Sequence, residues 1–403
     1  MPAQSRRKNL LSGFCRRLMQ GISTTPALMA RRTPMPRMTA CVIGAGSRAF
    51  AGAGVLNAPR WAVLCAAAVA AAISGLLAGC SGADPNRVVV YTALDRQFSE
   101  PILKRFEEQH GIRVVAKYDT EATNTAGLVN AIRSEKSRPR CDVFWNNEIV
   151  NTIRLKKENL LEAYRSPVAA RYPAEFRDPD GAWSGFAARA RVLIVNTNLL
   201  GGEAMPGSIL AMAEPRWRGR CAMATPLFGT TAAHAACLFA LWGPEKAAAF
   251  FKSLADNEVS IESGSRTVAQ GVAEGRLVFG WTDTDDAIAE QDAGRPVAIV
   301  FPDQGADEMG TLLIPNTLSM IRNAPHPESA RKLIDFLLSP EVEEELAKSH
   351  SAQIPLNPDV KVRSRIALPE PMKTMAVDYA RVARRFEFAA ECMKALFPDP
   401  ALD

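Results

Sequence analysis

No acidic residue occurs in this 403-residue chain before Asp84. The same stretch carries ten basic residues, and without them 38 Lys and Arg face 43 Asp and Glu. The net charge of +5 therefore describes a leader. The remainder is near −5, which argues against nucleic acid as a partner. Catalytic signatures are equally scarce. There is no HExxH, GxSxG or Walker loop, and the four histidines His110, His234, His326 and His350 are scattered. After position 80 the cysteines are Cys141, Cys221, Cys237 and Cys392, with no CxxC or Cys/His spacing that would hold structural zinc. Their pairing is open at this stage. The string VIGAGSRA at 42–49 is not followed by an acidic residue able to hold a ribose, which argues against a dinucleotide site.

What is present begins with Arg60, then nineteen uncharged residues from Trp61 to Gly79, then Cys80. A basic residue, an apolar run and small residues before a break make an export signal. The closing LAGC resembles the bacterial lipoprotein box, in which the cysteine takes a lipid and becomes the N-terminus. An uncleaved anchor is the alternative, and it puts the same domain on the same side of the membrane. Residues 1–60 are expected to be disordered or a mis-assigned leader, with Met38 and Val55 as later starts. The 324 residues from Cys80 on suit two lobes of ordinary size.

Short β-branched runs alternate with amphipathic stretches. RVVVY at 87–91, residues 112–116 and CDVFW at 141–145 read as strands, with helices between them. The theme repeats with strands at 190–196, 221–224, 277–281, 297–301 and 311–314. Helices are expected from about 232 to 242, from there to about 254, at 327–338, from Pro340 to about 348, and at 372–396. An acidic loop is expected behind 277–281. The alternation predicts an α/β fold with a mostly parallel sheet.

In such folds the ends of strands line the ligand crevice. Six polar groups follow strands: Asp95; Glu121 with Asn124; Asn147 with Glu148; Arg189 and Arg191; Gly229, Thr230 and Thr231; and the cluster Asp283, Asp285 and Asp286. The glycine–threonine group opens a helix, where free N–H groups suit an anion. Each group has a structural alternative as a cap or a surface pair. Close carboxylates repel unless a cation or donors compensate them. That makes the aspartate cluster the strongest candidate for a hard cation. Phe228, Trp145 and Trp281 could stack on an organic ligand or lie in the core.

The run from VVVYTALDRQFSEPILKRF through CDVFWNNE, GFAARARVLIVNTNLL, ATPLFGTTAAHAA and FGWTDTDDA to GTLLIPNTLSMIRNAPHPESARKLIDFLLSPEVEEELAK resembles the ferric-iron-type solute-binding proteins of ABC importers, over about 87–358. That resemblance implies a two-lobed periplasmic-binding-protein fold of type II with a hinged cleft. One lobe would span 86–190, completed by part of 305–403, and the other 191–304. It implies no enzyme activity and no cofactor, a likeness to monomers, and an ABC permease, a small solute and a lipid-anchored membrane attachment as partners. Iron-binding members hold Fe³⁺ with paired tyrosines, a histidine and a glutamate. Here Thr282 to Asp285 stands at the tyrosine pair, Asp95 at the histidine and Glu148 near the glutamate. The metal candidates are then Asp95, Glu148, Asp283 and Asp285. Ferric iron with a synergistic anion is the first expected ligand and an organic anion such as a phosphonate the alternative. A metal-dependent transferase using Asp283-Thr284-Asp285 is the remote third.

Overall fold

The computed structural model describes residues 86–119 and 126–398, and the chain from Ala83 on forms one compact unit. The export signal with Cys80, the VIGAGSRA string, Glu121 and Asn124 lie outside the described residues.

The chain opens with β1 (Arg87–Thr92), α1 (Arg96–His110), β2 (Arg113–Tyr118), α2 (Ala126–Ser134), β3 (Val143–Asn146) and α3 (Ile149–Lys157). Both β2 and β3 pair parallel to β1. Five of the six β1 residues are buried, which is why the strand reads as a continuous apolar run. Helix α1 buries Ile102, Leu103 and Phe106 and ends at Gly111, whose φ of 64° suits glycine. Asp95 holds the cap position, and Ser99 lies inside, donating to the carbonyls of Leu94 and Asp95.

The long strand β5 (Ser184–Asn196) is buried along all 13 residues. Its first half pairs antiparallel with β10 (Leu313–Ile321), and its second half with β8 (Phe279–Asp283) and β9 (Val297–Val300). The parallel strands β6 (Cys221–Ala224) and β7 (Ser260–Glu262) extend the β8 side. The sheet order is β2-β1-β3-β10-β5-β8-β6-β7, with the short β4 (Leu161–Glu162) on β10. One apolar cluster gathers Val88, Phe106, Trp145, Phe186 and Leu333. Another gathers Val192, Ile194, Ala222, Val268 and Ile288. Strand β5 feeds both.

The remaining helices are α4 (Gly229–Trp242), α5 (Pro244–Asp256), α6 (Ser265–Ala273), α7 (Thr284–Asp292), α8 (Pro327–Leu337), α9 (Pro340–Lys348) and α10 (Tyr379–Leu396). The expected acidic loop after β8 is therefore helix α7, with Asp285 and Asp286 in its first turn, where the dipole favours anions. Helix α10 packs on α3, α4 and α5. Phe388 meets Phe239 edge-on at 5.8 Å, and the Tyr379 hydroxyl donates to the Leu313 carbonyl at 2.8 Å. Cys141, Cys221, Cys237 and Cys392 are buried, and no disulfide forms among the described residues.

Near the middle of β5, Ala187 has a φ of 40°, beside a register shift between Pro315 and Asn316 of β10. The buried carboxylate of Glu343 holds this kink. It accepts from Ala187 N at 2.6 Å, Leu356 N at 3.0 Å and Asn357 N at 2.8 Å. Removing it strands three buried donors. Glu343→Ala is expected to lower unfolding stability by about 3 kcal/mol in denaturant titrations. Glu343→Gln, which keeps one acceptor oxygen, should lose clearly less, and equal losses would contradict this role.

Candidate functional site

A cavity of about 940 Å³ opens where several elements end together. Its walls come from the ends of β1 and β2, the start of α1, the segment after β3, and the first turns of α4, α6 and α7. Strand C-termini and helix N-termini thus converge on one space, as the α/β connection rule requires.

On one wall, β5 aims Arg189 and Arg191 at the aspartates that end β8 and begin α7. Arg191 is fully buried and lies beneath the cavity lining rather than in it. Its Nη1 donates to Asp283 Oδ1 at 2.8 Å, Thr230 Oγ1 at 3.1 Å and Ser265 Oγ at 3.2 Å. Its Nη2 donates to Thr231 Oγ1 at 3.1 Å. One guanidinium thereby pins the first turns of α4 and α6 to the end of β8. The second oxygen of Asp283 accepts from the Thr230 hydroxyl at 2.6 Å. Both oxygens of Asp283 are therefore engaged.

Asp285 and Asp286 differ. Arg189 Nη1 reaches Asp285 Oδ2 at 3.2 Å, but the buried Oδ1 has no partner. Asp286 Oδ1 lies 3.7 Å from Arg266 Nε. Ligand oxygens of Asp283, Asp285 and Asp286 fall within 4.8 Å of one another. Burial raises all three carboxyls, but Arg191, Arg189 and Thr230 outweigh it at Asp283, which ends below its ordinary value. At Asp285 burial wins over Arg189. At Asp286 burial and the neighbouring aspartates push the carboxyl well up. With Asp95, four carboxylates face the three arginines Arg189, Arg191 and Arg266.

The other predicted residues divide. Asp95 lies on the facing wall, half-exposed, with Oδ2 3.4 Å from Arg266 Nη2. Asn147 lines the cavity and donates to the Ala93 carbonyl at 3.0 Å, while its own carbonyl accepts from Arg189 at 2.8 Å. Arg189, Gly229, Thr230 and Thr231 also line it. Glu148 does not: it is buried as the cap of α3, accepting from Val150 N and Asn151 N, and burial raises its carboxyl. The capping alternative describes it. Phe228 borders the cavity, whereas Trp145 and Trp281 are fully buried core residues. Sequence reasoning passed over Tyr118, Ser265 and Arg266. The signal for the last two was a glycine–serine start to a helix, hidden because β7 is only three residues of SIE.

Behind Arg191, His234 stacks edge-on to Trp281 at 4.4 Å, and neither ring nitrogen has a partner. Burial, aided by Arg191, holds its pKa well below the ordinary value. The folded protein keeps His234 neutral, while the unfolded chain takes up a proton below about pH 6.5. Stability is thus lost as pH falls through that value, by about 1.4 kcal/mol per pH unit from this group. His234→Gln should remove that slope between pH 6.5 and 5, relative to the parent, in pH-resolved denaturant melts. Parallel profiles would refute it.

A family model of bacterial extracellular solute-binding proteins matches residues 151–382. The chain belongs to that family. This solute-binding protein is therefore a transport protein rather than an enzyme. It is 27% identical over 297 residues to iron uptake protein A1 of Synechocystis sp., covering 69% of this chain and 79% of the relative. It is 24% identical over 237 residues to a putative 2-aminoethylphosphonate-binding periplasmic protein of Salmonella typhi, covering 58% and 67%. The apo ferric ion-binding protein A of Pasteurella haemolytica superposes with a TM-score of 0.69 at 22% identity, covering 78% of this chain and all of that one. That likeness establishes the periplasmic-binding-protein fold expected from the sequence. Among the described residues, no helix is long and apolar enough to cross a membrane.

Proposed function

We propose that this solute-binding protein is the receptor of an ABC importer and captures ferric iron together with a synergistic anion. The observation that carries this reading is the carboxylate group on the cavity wall. Three aspartate oxygens lie within 4.8 Å, and the buried Oδ1 of Asp285 has no partner of its own. Hard oxygen donors suit Fe³⁺. The adjacent first turn of α4, with Thr230 and Thr231, suits the anion. Resemblance to an iron uptake protein supports the same choice. Asp285 and Asp286 would bind the cation, with Asp95 facing them, while Asp283 braces the site from behind.

In this reading the two halves served by β5 are lobes, 86–190 with part of 305–403 and 191–304, and the cavity is the cleft between them. Cys80 carries a lipid that keeps a monomeric receptor beside its permease and raises its local concentration there.

One observation favours a second cargo. Arg189 lines the same cavity as Thr230 and Asp286, so a zwitterion such as an aminoalkylphosphonate would find cationic and anionic partners together. Calorimetry with ferric citrate, with and without carbonate or phosphate, and with 2-aminoethylphosphonate separates the two. Iron binding is expected. No heat with iron under either anion would sink the iron reading, and heat with the phosphonate alone would select the zwitterion.

A further inference from the structure

The parallel ladder β2-β1-β3 has two ends. The C-terminal ends border the cavity through Leu94, Asp95, Asp119 and Asn147. The N-terminal ends carry a different chemistry. Arg87 opens β1 and Arg113 opens β2, paired in register. The loop into β3 supplies Lys136, Arg138 and Arg140, all exposed. Arg322 joins them from the end of β10, because β10 runs antiparallel to β3. Lys136, Arg140 and Arg322 border one small cleft, so these charges are neighbours.

The charges there are unevenly matched. Arg105 and Arg133 nearby each have a carboxylate at 2.7 Å and 2.6 Å. Among the described residues, no carboxylate pairs with Arg87, Arg113, Lys136, Arg138 or Arg140. The acids at this end keep their charge but are fewer than the basic side chains. Glu107 accepts from Val114 N, Glu135 from the Tyr91 hydroxyl, and Glu162 lies 3.9 Å from Arg322. Glu108 is exposed and opposes the rest. A basic edge thus stands out on a chain that is net acidic after Cys80.

We propose that this edge docks on an anionic phospholipid surface. The position of the upstream chain supports that partner. Asn86 enters at this edge, its carbonyl accepting from Arg113 N at 2.8 Å. Arg87 lies seven residue steps beyond Cys80, a reach of at most roughly 25 Å. A lipid on Cys80 therefore confines this edge, rather than the cavity end, to the neighbourhood of the bilayer. Each basic side chain near an anionic leaflet adds attraction that salt screens within a Debye length. The lipid belongs to the reading above, but the surface does not require it.

The test uses the unlipidated chain from Ala83 on, which is a compact unit by itself. Co-sedimentation with phosphatidylglycerol vesicles is expected at low ionic strength, with release in salt and no binding to phosphatidylcholine. Arg138→Glu with Arg140→Glu, both on an exposed loop, should weaken binding more than about tenfold. Arg381→Glu with Arg384→Glu, on the exposed side of α10, should leave it unchanged. Equal binding to both lipids, or undiminished binding by the loop variant, overturns the proposal. So does loss of binding in the α10 variant alone. Failure here leaves the cargo reading untouched, because no cavity residue is altered.

Discussion

Asp285→Asn with Asp286→Asn is expected to abolish iron capture while the protein stays folded. These two carboxylates face the cavity, and only part of their charge is met by Arg189 and Arg266. Asparagine keeps the volume and removes the anionic oxygens that a trivalent ion requires. Outer-shell changes alone commonly cost ten- to a hundredfold in metal affinity, so losing two ligands should exceed about a hundredfold. The double variant should melt no lower than the parent, since burial and mutual repulsion already penalise these charges. Isothermal titration with ferric citrate plus carbonate reads the first effect and a thermal melt the second. Parent-like iron affinity in the double variant would remove these aspartates from the site.

Asp283→Ala should do the opposite: it should damage the fold first and binding only as a result. Asp283 is buried, and Arg191 behind it has no access to water. Breaking a buried pair leaves an uncompensated charge and typically costs 3–5 kcal/mol. About 4 kcal/mol, or a fall in Tm of roughly 10 °C, is expected for a domain of this size. The Arg191→Met companion supplies the decisive comparison. If the loss comes from the orphaned guanidinium, Asp283→Leu with Arg191→Met should recover most of it. A double variant as unstable as the two single losses added together would show that the residues act separately. Neighbouring aspartates in one short motif would then have separable duties, one in stability and two in capture.

Much of this was legible in the sequence. Apolar runs such as RVVVY and CDVFW are strands because helices cover both faces of the sheet, so nothing polar interrupts them. Asp95 and Asn147 behind them line the cavity because strand ends do so in this class of fold. Two kinds of information were not legible. Helix α7 reads as a loop because its TDDAIAEQD segment lacks an apolar stripe, and its start is favoured by the dipole rather than by periodicity. Nor could the spacing of Arg189 and Arg191 reveal their duties. Alternation along β5 suggests equivalent neighbours, yet one lines the cavity and the other is sealed beneath it. Glu148 shows the same limit. A carboxylate after a strand can serve a ligand or the next helix, and here the free N–H groups of α3 claim it.

Helix α10 has a mechanical consequence. It lies across α3, which begins two residues after Asn147 of the cavity rim, and α4, which begins at Gly229 on that rim. Phe388 is wedged against α4, Arg154 of α3 stacks on Phe386, and Cys392 and Met393 are fully buried. A wide opening that parts α3 from α4 would peel this strap from one of them and expose apolar surface, at a cost that grows with the area uncovered. The strap would act as a travel stop. If the two halves served by β5 move as lobes, the cavity would gape only by the amount that side-chain repacking tolerates, and each closure would begin from a bounded range of angles.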